Sequence, residues 1–402
     1  MAVSGGSDST GLLLALDAVN RALPSPRRLV GLTVDHGLRA ASAAEAAGVG
    51  VLCLRFGLAH ETLAWTGPKP ATGLQAAARE ARYRLMEAAA DRLGLVGVAT
   101  GHTADDQAET VAMRRLRSAD AAAAGLAGIP PATLFDGRLW VLRPLLATRR
   151  DTIRQWLTRA GQGWIDDPSN ADSRFERVRM RRQLSDGVAP ADAADIAGAR
   201  LAQADAVAAL IEAAGTRLAD GRFRLEPGQA PAAVVLAAAE AMIGLAGGRR
   251  RAMDRAGRAL LADFILGGTT GACTLGRAVM TRSGGALILQ RERRDLPEIS
   301  VAPLESCDWD GRFRITNRDA RTPLLVRAGP TPGLLPVVLR QGDGSGDPAA
   351  ATGLSGAGFD VEPLCGRASR LLPVFELPVA RSLANLAGAR PFPDCPWASA
   401  LN

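Results

Sequence analysis

The chain has 402 residues with a formal net charge of +7, and hydrophobic residues make up 47% of it, so two or three folded domains are expected. No uninterrupted apolar run of about 18 residues occurs, which argues against a membrane span, and the start lacks a secretory signal. The five cysteines lie far apart, which argues against a disulfide framework or a paired-cysteine zinc site and predicts a cytoplasmic protein.

The first part of the chain alternates short apolar runs with helical patterns. We predict strands at residues 1–3, 29–35, 59–65, 95–101 and 139–142. We predict helices at residues 8–21, 42–54, 75–93 and 105–117. Such alternation predicts an α/β fold with a doubly wound, mostly parallel sheet, in which ligands bind beyond the carboxyl ends of the strands.

The rest of the chain has a different composition. Residues 190–265 are alanine-rich and helical in pattern, and residues 271–290 are typical of strands joined by a Gly284-Gly285 turn. After residue 294 the proline and glycine content predicts a small β-containing domain, with a loop at 341–351. We therefore predict domains at residues 1–185, 186–292 (helical, ending in a β-hairpin) and 293–402.

A glycine-rich turn links the first predicted strand to the first helix. Gly5 and Gly6 permit close backbone approach, and the helix that follows presents N–H groups and a positive dipole end to an anion. Asp8 suits an anion site only if a cation such as Mg²⁺ accompanies the phosphates. The turn lacks the Gly-Lys-Ser/Thr ending of the Walker A loop, which disfavours a β–γ hydrolysing NTPase. The alternative is a turn that only caps a helix.

Polar clusters follow two further strands. Asp35 and His36 end the second strand, which indicates a nucleotide or substrate contact. His102, Asp105, Asp106 and Glu109 follow the strand at 95–101, and helical spacing puts Asp106 and Glu109 on one side. Acids at a helix start also complement the dipole, but this accounts for one or two of them. The cluster therefore predicts a site for a cationic substrate or Mg²⁺.

Arginines are concentrated in two places. Arg79 and Arg82 lie three apart on a predicted helix and share a face. The segment 143–182 holds ten arginines against five acids, and five of them crowd one short stretch: Arg174, Arg177, Arg179, Arg181 and Arg182. Arginine binds phosphate with two parallel hydrogen bonds, so both places predict contact with an RNA backbone. A solvated basic helix face is the alternative for each.

The turn Ser4-Gly5-Gly6-Ser7-Asp8-Ser9 resembles the signature of the PP-loop ATP pyrophosphatase family. In series with VDHGLR, AREARYR, GHTADDQAET, RPLL, DDPSN and FxRxRxR, it resembles the tRNA(Ile)-lysidine synthetase family over about residues 1–185. That resemblance implies a PP-loop catalytic domain with an arginine-rich extension that contacts tRNA, followed by C-terminal tRNA-binding domains.

The resemblance also implies a reaction and its participants. The O2 atom of a wobble cytidine attacks ATP, pyrophosphate leaves, and the ε-amine of free lysine displaces AMP to form lysidine in a CAU-anticodon isoleucine tRNA. The implied ATP contacts are Ser4, Gly5, Gly6, Ser7, Asp8, Ser9, Asp35 and His36. Lysine binding and activation fall to His102, Asp106 and Glu109, with Asp8 also catalytic, and Mg²⁺ to Asp8 and Asp105. A homodimer is left open.

Two other enzymes of the PP-loop class remain as alternatives. A PP-loop tRNA thiolase would use cysteine for sulfur transfer or cluster binding, but no Cys-x-x-Cys occurs and Cys53 lies in an apolar run. A small-molecule adenylating amidotransferase would use ammonia, and both the missing glutaminase domain and the basic tail argue against it.

Overall fold

The computed structural model describes residues 1–38, 41–117, 128–166, 180, 192–249, 251–267, 271–340, 355–356 and 358–397. The chain divides into two compact units, Met1–Arg200 with Asp394–Asn402, and Leu201–Pro393. Within the described residues, no helix is long and apolar enough to cross a membrane. The division into three domains stays a prediction.

The first unit is built from alternating strands and helices. Its helices are α1 (Ser7–Ala22), α2 (Ser42–Arg55), α3 (Leu74–Leu93), α4 (Ala104–Arg117) and α5 (Arg150–Arg159). Its strands are β1 (Val30–Asp35), β2 (Ala59–Ala64), β3 (Gly97–Ala99), β4 (Ala132–Phe135) and β5 (Leu139–Leu142). The predicted elements are therefore present within a few residues of their expected bounds.

The predicted first strand is the centre of the sheet, although it is only a single β-bridge at Ala2. The N–H of Ala2 donates to the Ala99 carbonyl of β3 at 2.8 Å, and the N–H of Val3 donates to the Leu32 carbonyl of β1 at 2.9 Å. β1 pairs with β2, and β3 with β5, both in parallel. The parallel order is thus β2, β1, residues 1–3, β3, β5, and the Gly-rich turn leaves from the middle of it.

Helices cover both faces of this sheet, which confirms the doubly wound α/β fold. One apolar cluster joins Met86 and neighbouring residues of α3 to Leu32 and Val98. Another joins Leu12 of α1, Cys53 of α2 and other residues to the opposite face. Because α1 packs closely on α5, the start of α5 is held near the Gly-rich turn: a Cβ on Gly11 would lie 2.3 Å from Ile153.

One strand of the sheet was not predicted. β4 pairs antiparallel with β5 as a hairpin. Its turn is Asp136-Gly137, where both residues have positive φ, 44° and 71°.

The second unit follows the boundary within α6 (Asp192–Ala214). Its other helices are α7 (Ala232–Gly247), α8 (Arg255–Leu266) and α9 (Leu377–Ala387). An antiparallel sheet has the order β6 (Gly215–Arg217), β7 (Phe223–Leu225), β10 (Ala286–Arg291), β9 (Ala278–Ser283), β8 (Ala272–Leu275). The predicted Gly284-Gly285 turn joins β9 to β10 with both φ angles positive. The hairpin of β6 and β7 lies inside the stretch that we predicted as helical.

The predicted β-containing C-terminal region is present. One of its sheets has the order β11 (Ile299–Val301), β14 (Leu324–Ala328), β15 (Pro336–Arg340). The other has the order β12 (Ser306–Trp309), β13 (Phe313–Asn317), β17 (Phe359–Pro363), β16 (Ser355–Gly356), and a further strand, β18 (Leu371–Pro373), follows. The predicted loop at 341–351 lies outside the described residues.

Candidate active site

The Gly-rich turn runs from residue 4 to the first turn of α1. Gly5 has φ +85°, a conformation that only glycine adopts readily. Gly6 is the N-cap residue of α1, and no side chain caps the helix there. The first N–H groups of α1 therefore lie at this turn, an arrangement that suits an anion.

The hydroxyl groups near the turn brace its backbone. Ser9 donates to the Gly6 carbonyl at 3.1 Å and accepts from the N–H of Ser4 at 3.1 Å. Thr10, which is fully buried, donates to the Gly5 carbonyl at 3.2 Å. The Ser7 hydroxyl donates to Asp8 at 3.0 Å. Ser9, predicted to contact ATP, thus holds the shape of the turn in this structure.

The acidic cluster lies at the start of α4, where the chain leaves β3. Asp106 Oδ2 accepts hydrogen bonds from both the N–H and the hydroxyl of Thr103, at 2.8 and 2.9 Å. This pairing is a capping arrangement, so Asp106 has a structural role beside its predicted functional one. Glu109 is buried, with only 2% of its surface exposed.

Arg150, which we did not single out from the sequence, brings the acids of two helices together. Its Nε donates to Asp8 Oδ2 at 2.9 Å, its Nη2 lies 3.5 Å from Asp106 Oδ1, and its Nη1 lies 3.8 Å from Glu109 Oε1. Its backbone N–H donates to Asp105 Oδ2 at 2.7 Å. Burial opposes the charge of Arg150, but Asp8, Asp106 and Glu109 outweigh it and raise its pKa.

His102 lies at the end of β3. Its Nδ1 is 2.8 Å from the Thr100 hydroxyl, which also lies 3.2 Å from the Leu142 carbonyl. This contact fixes the orientation of the His102 ring at the end of the strand. Gly101 lets this strand end pass against α1, because a Cβ there would lie 2.9 Å from the backbone of Asp8. The Gly-rich turn and the acid cluster thus lie next to each other.

Asp35 is the last residue of β1, and His36 follows it. Asp35 accepts from the N–H of Gly37 at 2.8 Å, and this hydrogen bond is the main reason why its pKa is lowered. His36 lies edge-on to Trp65, with ring centroids 5.9 Å apart, and 3.4 Å from Arg82 Nη2. Desolvation, followed by the charge of Arg82, lowers the pKa of His36.

The predicted tRNA contacts are described only in part. Arg79 and Arg82 are exposed on α3, and Arg79 lies over the Tyr83 ring at 5.2 Å. Four others lie outside the described residues: Arg174, Arg177, Arg179 and Arg181. Not every arginine of the segment 143–182 faces the solvent. Arg143 is buried and donates to the Pro130 carbonyl at 2.8 Å, and Arg150 faces the acids.

These features define a PP-loop nucleotide-binding domain, and residues 1–188 match the family model described as a PP-loop domain. Among curated relatives, the tRNA(Ile)-lysidine synthase of Mesorhizobium japonicum is 41% identical, with 98% of this chain and 93% of the relative covered. That of Rhizobium meliloti is 37% identical with the same coverage, and that of Brucella ovis is 40% identical over 80% of this chain and 74% of its own. The chain belongs to the tRNA(Ile)-lysidine synthase family.

The comparisons confirm the predicted family and the prediction of an ATP-using ligase. Among solved structures, a U34-tRNA thiolase, NcsA from Methanococcus maripaludis, covers 46% of this chain and 63% of its own. Its TM-score of 0.39 and identity of 15% are too low to support a conclusion about this chain.

The two glycines of the turn should respond differently to alanine. We expect Gly5→Ala to lower the free energy of unfolding by about 1–3 kcal/mol, because its φ is +85° and the new Cβ would lie 2.6 Å from Ile165 Cδ1. Gly6→Ala is the matched control: φ is −68° and the nearest atom is 3.9 Å away, so the loss should stay below about 0.5 kcal/mol. Urea unfolding of both variants is the measurement, and equal stabilities would contradict this account of the turn.

A second prediction concerns pH and His60, on β2. The Thr33 hydroxyl donates to the Val3 carbonyl at 2.8 Å, so His60 Nε2, also 2.8 Å away, donates to Thr33. Desolvation lowers the pKa of His60 below its usual 6.5. A histidine with a depressed folded pKa stabilises the fold above the unfolded pKa, and this stability is lost as the pH falls through the folded pKa.

We therefore expect the free energy of unfolding to fall between about pH 7.5 and 5.5, and His60→Gln to make this fall smaller. Urea unfolding at both pH values gives the comparison, and the difference between wild type and variant separates His60 from His36. The same pH dependence in both proteins would mean that His60 does not contribute.

Proposed function

We propose that the chain ligates lysine to C2 of the wobble cytidine in a CAU-anticodon isoleucine tRNA. The cytidine O2 attacks the α-phosphate of ATP and pyrophosphate leaves; the lysine ε-amine then attacks C2 and AMP leaves, giving lysidine. This proposal rests on the proximity of the Gly-rich turn and the acid cluster. Arg150 links the two, because its side chain contacts Asp8 of the turn and Asp106 of the cluster. The family membership of the chain supports the choice of substrate.

The turn would stabilise the departing pyrophosphate. We assign ATP binding to these residues: Ser4, Gly5, Gly6, Ser7, Asp8, Ser9, Asp35 and His36. The uncapped N-terminus of α1 supplies backbone N–H donors, and donors fixed before reaction stabilise the developing charge without reorganising. The hydrogen bonds from Ser9 and Thr10 to the turn keep these donors in place.

The acid cluster would hold lysine. The substrate is cationic, so Asp106 and Glu109 offer complementary charge, and burial of Glu109 strengthens the attraction. The ε-ammonium must lose a proton before it attacks, and His102 or a carboxylate can accept it. His102, Asp106 and Glu109 are therefore our lysine-binding and activating residues.

Mg²⁺ is expected beside the turn. It is usually held by one or two carboxylates together with substrate phosphates, so Asp8 fits. Asp105 is the second candidate. Each carboxylate already accepts a hydrogen bond from Arg150, Asp8 Oδ2 from Nε at 2.9 Å and Asp105 Oδ2 from the backbone N–H at 2.7 Å, so the ion would bind beside these bonds. The bound ion would neutralise charge on the phosphates.

Arg79 and Arg82, exposed on α3, are our proposed tRNA contacts among the described residues. Three expectations stay predictions: a cytoplasmic location, a homodimer, and tRNA contacts at Arg174, Arg177, Arg179 and Arg181.

The thiolase alternative is not favoured. Cys53 is fully buried, and desolvation raises the pKa of its thiol, so it is unsuited to carry sulfur.

Incorporation of labelled lysine into a CAU-anticodon isoleucine tRNA tests the proposal, with a transcript carrying uridine at the wobble position as the control. ATP–pyrophosphate exchange measured with and without the tRNA isolates the first step. We expect exchange to require the tRNA and label to enter only the cytidine transcript. Exchange supported by a small acceptor alone would instead favour the amidotransferase alternative.

A further inference from the structure

Arg150 is the first residue of α5, and its side chain is only 11% exposed. Each of its three guanidinium nitrogens faces a different carboxylate. Nε bonds Asp8, at the phosphate turn, while Nη2 and Nη1 lie within 3.5 and 3.8 Å of Asp106 and Glu109 on α4. One side chain thus spans the residues proposed for the two steps of the reaction.

This arrangement is not explained by stability alone. Ionic groups that are withdrawn from water lose hydration, and well-packed apolar residues often stabilise a fold as well as a buried ion pair does. Arg150 brings one positive charge to three carboxylates, an excess of negative charge within this group of four side chains. An excess of negative charge suits a cationic substrate or a metal ion. The acids are therefore placed to bind a ligand, and Arg150 is placed to hold the acids.

Geometry favours arginine over any other cation here. A guanidinium is planar and its donors point in fixed directions, so carboxylates bonded to it are oriented relative to one another. An ammonium has no such plane. The backbone N–H of Arg150 fixes Asp105 as well, at 2.7 Å, which ties the start of α5 to the start of α4.

We infer that Arg150 is a positioning residue that couples the two half-reactions, by holding Asp8 of the phosphate turn in register with Asp106 and Glu109 of the lysine site. The inference rests on the proposed function. It predicts that a substitution in the phosphate turn changes lysine transfer, and that a substitution in the lysine site changes pyrophosphate exchange. Displacement of a reacting group by about 1 Å can lower a rate about 100-fold, so a positioning residue has a large effect without touching substrate.

The first experiment compares Arg150→Ala and Arg150→Lys with Arg138→Ala, an exposed arginine in the turn between β4 and β5. We measure tRNA-dependent pyrophosphate exchange, then lysine transfer to pre-adenylated tRNA, each with KM and kcat, and thermal unfolding. Arg150→Ala should lower kcat of both steps by roughly 100-fold. Arg150→Lys should regain thermal stability yet keep at least a tenfold loss in kcat. Arg138→Ala should match wild type.

The second experiment tests the coupling itself. Asp8→Asn should lower lysine transfer at least about threefold, and Glu109→Gln should lower exchange by a similar factor, because each acts across Arg150. In an Arg150→Ala background both cross effects should disappear. A purely structural role would leave them unchanged, since neither carboxylate then depends on Arg150 to reach the other step.

Three results would overturn the inference: both steps within about twofold of wild type in Arg150→Ala, full recovery of kcat in Arg150→Lys, or cross effects that persist without Arg150. If the wild-type protein itself shows neither tRNA-dependent exchange nor lysine transfer, the proposed function fails instead. The two failures are therefore distinguishable.

Discussion

Glu109→Gln should reduce lysine transfer by about 10²- to 10⁴-fold while tRNA-dependent pyrophosphate exchange falls far less. Glu109 is 2% exposed and lies 3.8 Å from Arg150, so its charge acts in a dry environment. Gln keeps the size and removes the charge, which leaves a cationic substrate with less to bind and removes a candidate proton acceptor. Labelled-lysine transfer to pre-adenylated tRNA, with KM for lysine, is the measurement.

Two substitutions at Asp106 separate its proposed role in lysine transfer from its structural role as a capping partner. Asp106→Ala should lose lysine transfer and about 1 kcal/mol of stability, because Thr103 loses its capping partner. Asp106→Asn retains an oxygen for Thr103, so it should lose transfer with a smaller change in stability. Asp91→Asn, which changes an exposed carboxylate of α3, is the control and should leave both properties unchanged.

The Glu109 prediction has its own contrary outcome. Wild-type lysine transfer in Glu109→Gln would show that Glu109 takes no part in the reaction.

Local sequence patterns predicted the first unit well because its chemistry lies at the ends of strands. The glycines of the turn, Asp8, and the polar residues after β1 and β3 all stand next to apolar runs that define strands. The hairpin of β4 and β5 was also accessible, since Asp136-Gly137 between apolar residues is a strong hairpin signal. The β6–β7 hairpin carried no comparable signal within an alanine-rich stretch.

Arg150 was not predictable in the same way. Its partner Asp8 is 142 residues away in sequence, and Asp106 is 44 away. Nothing in the local pattern distinguishes Arg150 from neighbouring Arg149, or from the arginines expected to face tRNA. Only the packing of α1 on α5 turns this one side chain towards the acids.

A second arginine cluster, within the second unit, leads to the largest stability effect that we expect. The Asp310 carboxylate is fully buried and bonds Arg291 at 3.0 Å, Arg312 at 2.6 Å, and Arg277. Arg312 in turn donates to the carbonyls of Gly333 and Leu334, both at 2.7 Å. The hub defined by Asp310 and these three arginines thus joins the end of β10 to the β12–β13 turn and to the loop before β15.

Asp310→Asn should therefore lower the free energy of unfolding of this unit by about 3–5 kcal/mol. Desolvation lowers the pKa of Arg312 to about 10 even with Asp310 beside it, so neutralising the carboxylate leaves buried cations without their counter-charge. Asn is a fair isostere and tolerates the φ of 55° at this position, so the backbone should not contribute. Urea unfolding with hydrogen exchange at β10 and β13 localises the effect.

The exposed pair of Asp360 and Arg318 provides the control for this prediction. The two side chains are 34% and 68% exposed, and the contact, at 2.6 Å, is as short as that of Asp310 with Arg312. Asp360→Asn should nevertheless lose less than about 1 kcal/mol, because water screens the pair and solvates the arginine left behind. Equal losses in the two variants would mean that distance, rather than burial, sets the strength of these ion pairs. The apolar cluster around Trp309 and Phe313 would then have to hold the turn in place by itself.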